Sequence, residues 1–408
     1  MATVNNFETA STQQASTSAI DLLIGISGVV RDEDLRYKSI DCLGWLAQGL
    51  PGLRIAVAYP VASAAEAENS ATGDSQFLTY GVSDAAPSLP WLTTPSTSRA
   101  IARLAEKRSA RACVMLSADL GAFDARSILD LARPLMEART LSLPIYPTGK
   151  YEGLLNSAVL YPFTRALYGK QVRYPLPLDY GVAGGMIARL GADGNRNQTA
   201  ISWPSIEGVL SDASMAQVHL GVRHVAHSEG IDLSSVLASL SGSLFEEAEN
   251  TAAVWQRVRA SQAMPVYGTP AAMIGESEAV DVRPLIESFN LGSRNLQEVW
   301  GLVLPPVTLL ELKKLSRLPA EQFRLPDSVW ARVVYDFALA HRLRTISRSH
   351  LLGALTPLYL AWVASYAAEV RNLDAIAAES RIEGLAAAFE EAKPYFVSRW
   401  RWPDRFNP

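Results

Sequence analysis

Residues 146–185 read YPTGKYEGLLNSAVLYPFTRALYGKQVRYPLPLDYGVAGG. The run leaves a strand at Tyr146-Pro147, crosses a helix with its own Tyr161-Pro162, and ends in a proline-rich turn before Asp179 and Tyr180. The sequence ahead of it alternates in the same way. Residues 22–30 (LLIGISGVV), 54–59 (RIAVAY), 77–82 and 112–117 (ACVMLS) are short apolar runs of strand length. Between them, residues 35–50, 96–107 and 125–137 carry apolar positions three or four apart, and Asp124 is placed to cap the last of these helices. Strands alternating with helices predict an α/β fold with a mostly parallel sheet covered on both faces. Ligands on such a sheet bind beyond the carboxyl ends of the strands. The loops at 61–75 and 83–98, rich in Ala, Ser, Pro and Thr, follow strand ends where a nucleotide would sit.

From about residue 232 the pattern turns helical, over 233–263, 279–289, 295–303, 328–340, 350–370 and 374–393. The expected organisation is a tail at 1–20, an α/β domain at 21–231 and a helical C-terminal region at 232–408. The tail is rich in Ser, Thr, Gln and Asn, with neither a basic start nor an apolar core, which reads as flexible chain rather than a signal peptide. Residues 351–368 (LLGALTPLYLAWVASYAA) carry no charge and are just long enough to span a bilayer. Pro357 interrupts the run and polar residues dilute it, so it reads as a buried helix pair rather than a membrane span.

The chain has 408 residues, is 49% hydrophobic and has a mean hydropathy of +0.07, enough to bury a large core and form two domains. A net charge of −4 with scattered basic residues gives no footprint for nucleic acid. Its two cysteines, Cys42 and Cys113, lie in apolar segments, which fits a reducing, cytoplasmic setting better than a disulfide framework. Nothing in the composition argues against a homodimer.

A second unusual run, residues 215–227 (MAQVHLGVRHVAH), holds three of the five histidines, and Glu207 lies between the two runs in WPSIEG. YPFTRALYG (161–169), PLPLDYG (175–181) and QVHLGVR (217–223) resemble, in type and order, segments of retaining glycosyltransferases with the A-type nucleotide-sugar fold. The group they are most similar to is that of the mannosylglycerate and glucosyl-3-phosphoglycerate synthases. VWARVVYDF (329–337) and TPLYL (356–360) resemble its C-terminal part.

The resemblance implies a nucleotide-sugar-binding sheet and transfer of a hexose, with retention, from a GDP-mannose- or UDP-glucose-type donor. The acceptor would be a small anion such as glycerate or phosphoglycerate. It also implies a divalent cation, Mn²⁺ or Mg²⁺, because a hard ion held by oxygen ligands offsets the charge that develops on the leaving diphosphate. Residues 117–120 (SADL) occupy the place of the metal motif, where Asp119 stands without its usual acidic partner, and His224 or His227 would add a ligand. Ser27 and Gly28 fall at the base-binding turn, Arg99 at a phosphate-contacting helix start, and Asp179 and Tyr180 at the donor-sugar turn. Asp179 and Glu207 are the carboxylates expected at the reacting centre. Lys150, Tyr151 and Arg165, with Arg173, would meet the anionic acceptor. His219, alternating with apolar residues, reads as a partly buried histidine of a strand. The missing acid, the absence of an Asn-Glu pair after the first strand, and Pro177 and Leu178 in place of two glycines keep a second reading open. That reading is a catalytically vestigial binding or scaffold protein.

Overall fold

The computed structural model describes residues 19–27, 48, 51–61, 76–81, 89, 92–117, 125–192, 201–221, 232–270 and 279–403. The expectations at residues 28–47 and 118–124 fall outside these, as do those at 222–231. Within them runs an eight-stranded sheet: β1 (Leu22–Ile26), β2 (Ile55–Val61), β3 (Phe77–Gly81), β4 (Ala112–Leu116), β5 (Leu141–Ile145), β6 (Tyr180–Ala183), β7 (Met215–His219) and β8 (Val266–Tyr267). The order is β3-β2-β1-β4-β6-β5-β7-β8. All neighbours are parallel except β6, which is antiparallel to both β4 and β5. The fold is thus α/β, with a mostly parallel mixed sheet and a helical C-terminal region.

Every residue of β1 and β4 is buried because the sheet is covered on both sides. Leu22, Ile24, Val114 and Leu116 pack with Ile128, Leu131 and Leu135 of helix α2 (Ala125–Met136). The alternate residues Leu23, Cys113 and Met115 pack with Ile101, Leu104 and Ala105 of helix α1 (Pro95–Lys107). Helix α1 begins at Thr94, whose hydroxyl accepts from the Thr97 N–H at 3.2 Å, with Pro95 in the first turn. Gly25 sets how closely it approaches: a Cβ there would lie 2.3 Å from Ile101 Cγ2. The chain steps from β1 outward to β2 and β3, then returns to lay β4 on the other side of β1. The switch point of the strand order therefore lies at the carboxyl ends of β1 and β4, the place of the crevice in which such sheets bind ligands.

The opening stretch is the joint between sheet and helices. A π turn (Asn156–Leu160) runs into α3 (Tyr161–Tyr168). Pro162 has no N–H to give back to the Ala158 carbonyl, and that carbonyl accepts instead from the indole of Trp330 at 2.9 Å. Gly169, at φ 68°, closes α3 in the left-handed conformation. After it come α4 (Gly185–Gly191) and α5 (Pro204–Leu210). The helical region comprises α6 (Leu233–Asn250), α7 (Ala252–Trp255), α8 (Arg283–Asn295), α9 (Gln297–Val303), α10 (Pro306–Leu315), α11 (Asp327–Leu343), α12 (Arg348–Glu369) and α13 (Ala375–Arg401). It shares its core with α3: Phe163 packs against Phe245, Tyr335 and Phe396.

Several elements differ from the sequence reading. The helix expected over 233–263 ends at Asn250. The chain then turns on the buried Trp255, whose indole donates to Ala248, and returns to the sheet as β8, paired in parallel with β7. The eighth strand therefore comes from beyond residue 231. The pair expected at 351–368 is one continuous helix, α12, whose Pro357 ring seats where Gly292 of α8 has no side chain. Among the described residues it is the one helix long and apolar enough to cross a membrane, and 72% of its most apolar window is buried inside the protein. Helices α4, α5 and α10 were not anticipated, although Pro204 and Pro306 at the starts of the last two, and Lys313 and Lys314 at the end of α10, are helix signals.

Candidate functional site

Beyond β1 and β4, polar side chains tie strand ends together. The Ser27 hydroxyl donates to the Leu116 carbonyl at 2.7 Å and lies 2.8 Å from the Thr93 hydroxyl. The Tyr80 hydroxyl donates to the Ile26 carbonyl. Asp179 is fully buried. One of its carboxylate oxygens accepts from the Ser117 N–H at 2.7 Å and the other from the Tyr146 hydroxyl at 3.0 Å. The same hydroxyl accepts from the Asp179 N–H at 3.2 Å. Burial, followed by the Asp179 charge, pushes the Tyr146 phenol well above its ordinary pKa, so it stays a donor. Tyr180 is also buried, its hydroxyl 3.2 Å from Ser98 at the start of α1. Arg99, one residue on, keeps a buried Nε without a hydrogen-bond partner among the described residues.

A cavity of about 380 Å³ opens farther along the same edge, beyond the carboxyl ends of β5 and β7. Arg173 dominates its wall. The Gln217 side chain of β7 grips the backbone that carries this arginine, accepting from the Arg173 N–H at 2.7 Å and donating to the Gln171 carbonyl at 2.9 Å. The guanidinium lies between the rings of Tyr161 and Tyr174, 5.3 and 5.1 Å from their centroids. Its Nε and Nη2 donate to the two oxygens of Glu379, at 2.5 and 3.1 Å, and Nη2 also donates to Ser157 at 3.0 Å. Burial works against its charge, but the Glu379 carboxylate more than offsets that and raises its pKa. Nη1 is buried and has no hydrogen-bond partner among the described residues. Glu383, also lining the cavity, accepts from the Tyr161 hydroxyl at 2.6 Å. His219 completes the β7 side, with burial lowering its pKa. Tyr146 joins the two places, lining the cavity while its hydroxyl holds Asp179.

The other expected site residues are employed elsewhere. The Lys150 ammonium spends its three donors on the carbonyls of Val370, Arg371 and Leu373, at 3.1, 2.8 and 3.1 Å, just past the end of α12. Tyr151 lies beneath that ammonium, its ring centroid 5.3 Å away, with burial raising its pKa. Arg165 is buried behind the cavity, paired with Glu383 and, at 2.8 Å, with Glu390, so that it binds α3 to α13. Glu207 does not reach this edge. It sits on α5, paired with Arg189 of α4 at 2.7 Å, and its neighbour Gly208 packs on Leu141 and Met215 at the starts of β5 and β7. Gly28, Asp119, His224 and His227 lie outside the described residues. Among those described, no group of three His, Cys, Asp or Glu side chains is placed to hold a metal ion.

Sequence reasoning passed over Glu379 and Glu383 and gave Arg173 only a secondary place. A usable signal was present: Glu379, Glu383 and Glu390 mark one stripe of α13 at helical spacing, beyond what solubility demands. The sequence matches no protein-family model and no curated protein.

Proposed function

We propose that the protein is a retaining glycosyltransferase that moves a hexose from a UDP- or GDP-linked donor to a small acceptor. One observation carries the reading: the sheet's reversal point between β1 and β4 and the cavity beyond β5 and β7 share one edge, bridged by Tyr146 and Asp179. A donor at the crevice and an acceptor in the cavity would lie on either side of that bridge. In the transfer, an acceptor hydroxyl oxygen forms the bond to the anomeric carbon as the bond from that carbon to the diphosphate breaks. The electron pair stays on the diphosphate, and the hydroxyl proton passes to its oxygen. This chemistry needs positioning and charge stabilisation more than a strong base. Asp179 and Tyr146 would act by fixing the rim, and Arg99, in the first turn of α1, would contact a phosphate. A divalent cation would neutralise the leaving group. Its ligands by sequence, Asp119 with His224 or His227, lie outside the described residues, so no step is routed through it.

The test is a thermal-shift and calorimetric screen with UDP and GDP, each with and without Mn²⁺. At a hundred times its dissociation constant, the true nucleotide should stabilise the fold by about 2.7 kcal/mol. No shift with either nucleotide at millimolar concentration would leave the binding or scaffold reading in its place.

A further inference from the structure

We infer that the cavity beyond β5 and β7 takes a neutral polyhydroxylated ligand, a sugar or polyol, and discriminates against anions and cations alike. Calling that ligand the acceptor rests on the glycosyltransferase reading; the binding preference does not.

The argument starts from which ends of the ion pairs face outward. The arginines are the buried partners, with Arg165 and Arg173 side chains 9% and 13% exposed. The carboxylates facing them are open: Glu383 and Glu379 are 45% and 42% exposed. A ligand entering the cavity therefore meets two carboxylates in front of two guanidiniums whose charges are already matched. His219 adds no cation, because burial favours its neutral form. A phosphate or carboxylate ligand, the kind expected from sequence, would set its charge against Glu379 and Glu383, with no unmatched cation among the described lining residues to receive it.

An ammonium fails for the matching reason: the carboxylates that it meets already have their charges balanced by the guanidiniums behind them. A hydroxyl is both donor and acceptor. It can give its proton to Glu379 or Glu383 without bringing a charge, and a ligand with several hydroxyls can engage both. A volume of about 380 Å³ lies within the roughly 300–1,000 Å³ of small-molecule sites.

Three probes of one ring shape test this on the full chain without any donor: methyl glucoside, glucuronate and glucosamine. Affinities are read by calorimetry and saturation-transfer NMR at pH 7.5. Methyl glucoside should bind about tenfold or more tighter than either charged ring, the scale expected of one uncompensated charge in a partly screened site. In Glu383→Gln, which keeps an acceptor for Tyr161 and Arg165, glucuronate should gain at least about threefold on methyl glucoside. Tighter binding of glucuronate in the unaltered protein would make the cavity an anion site, tighter binding of glucosamine a cation site, and no binding of any probe would remove sugars as its ligands. Each of these outcomes overturns the inference. Because no nucleotide is present, a failed donor screen leaves this result standing, and failure here leaves donor binding untouched.

Discussion

The two ends of the sheet's carboxyl edge use similar residue types in opposite ways. Beyond β1 and β4, Ser27, Ser117 and Asp179 bond to one another's strands and to Tyr146, and their capacity goes into holding the rim. Beyond β5 and β7, Arg173 is held by its neighbours, Gln217, Glu379 and two tyrosines, while Glu379 and Glu383 in front of it stay exposed to the cavity. A polar atom whose bonds are all made cannot also grip a ligand without breaking something. Carboxylates that are positioned by their partners and still face the cavity keep lone pairs for a ligand. In the reading proposed above, the side chains of the first region frame the site and those of the second receive a ligand.

The largest effect should come from breaking the frame. Asp179→Ala leaves the Ser117 N–H and the Tyr146 hydroxyl without their carboxylate in the interior, and should lower unfolding free energy by about 3–5 kcal/mol in urea titrations. If stability instead changed by under about 1 kcal/mol while nucleotide binding vanished, Asp179 would belong with the receptors and the contrast would collapse.

A gentler lever acts on the platform under the receptor. Helix α13 carries Glu379 and Glu383 and packs on α11, where burial, with Arg348 and Arg344 nearby, pushes the His341 imidazole down to about 4. Folded His341 is neutral where the unfolded chain takes up a proton. Its contribution is therefore whole above pH 6.5 and is lost as pH falls towards 4. Asp336, on the same helix and paired with Arg399, has the opposite sign, since burial lifts its carboxyl to about 7. The difference between two proteins isolates the histidine. The stability of His341→Leu relative to the parent should rise by about 2 kcal/mol between pH 7 and pH 4.5, followed by denaturant melts. A gap that stays flat with pH would mean that His341 is not held neutral.

The smallest effect is expected at Glu207. Its pairing with Arg189 is partly exposed and lies away from both regions, so Glu207→Gln should move stability by no more than about 1 kcal/mol. Nucleotide and sugar affinities should be unchanged by calorimetry. A lost activity in that variant would bring the amino-terminal edge of the sheet into the mechanism.

What the sequence revealed divides along the same line. The strands β1 and β4 were legible because burial on both faces leaves an unbroken apolar run. Strand β6 was not, since YGVA is four residues long, follows a proline-rich turn and carries no mark of which way it pairs. Strand β8 hid behind α6 and α7, whose Ala, Leu and Glu content reads as one long helix. At the site, Lys150 and Arg165 were chosen for charge, and the groups that occupy them lie more than 200 residues along the chain, on helices whose placement no local pattern gives. Ser27 and Asp179 were singled out, but whether a serine or carboxylate faces a ligand or a backbone amide is a three-dimensional question. Arg173 was given only a secondary place for the same reason: its distinction is the company it keeps.

The pairing of Arg173 with Glu379 joins residues 206 positions apart. One wall of the cavity is made early in synthesis, with β5 and the turn before β6, a second with β8, and the last only with α13. A chain emerging from the ribosome can assemble most of its sheet long before it owns a pocket. Contacts of such sequence separation are also the slowest to form. Until α13 docks, Tyr161, Arg165 and Arg173 have no glutamates to hold them, and a nascent or truncated chain would offer bare cationic groups where the finished protein offers carboxylates. Ligand choice is thus the last property this fold acquires, and completeness of the chain is written into what it will accept.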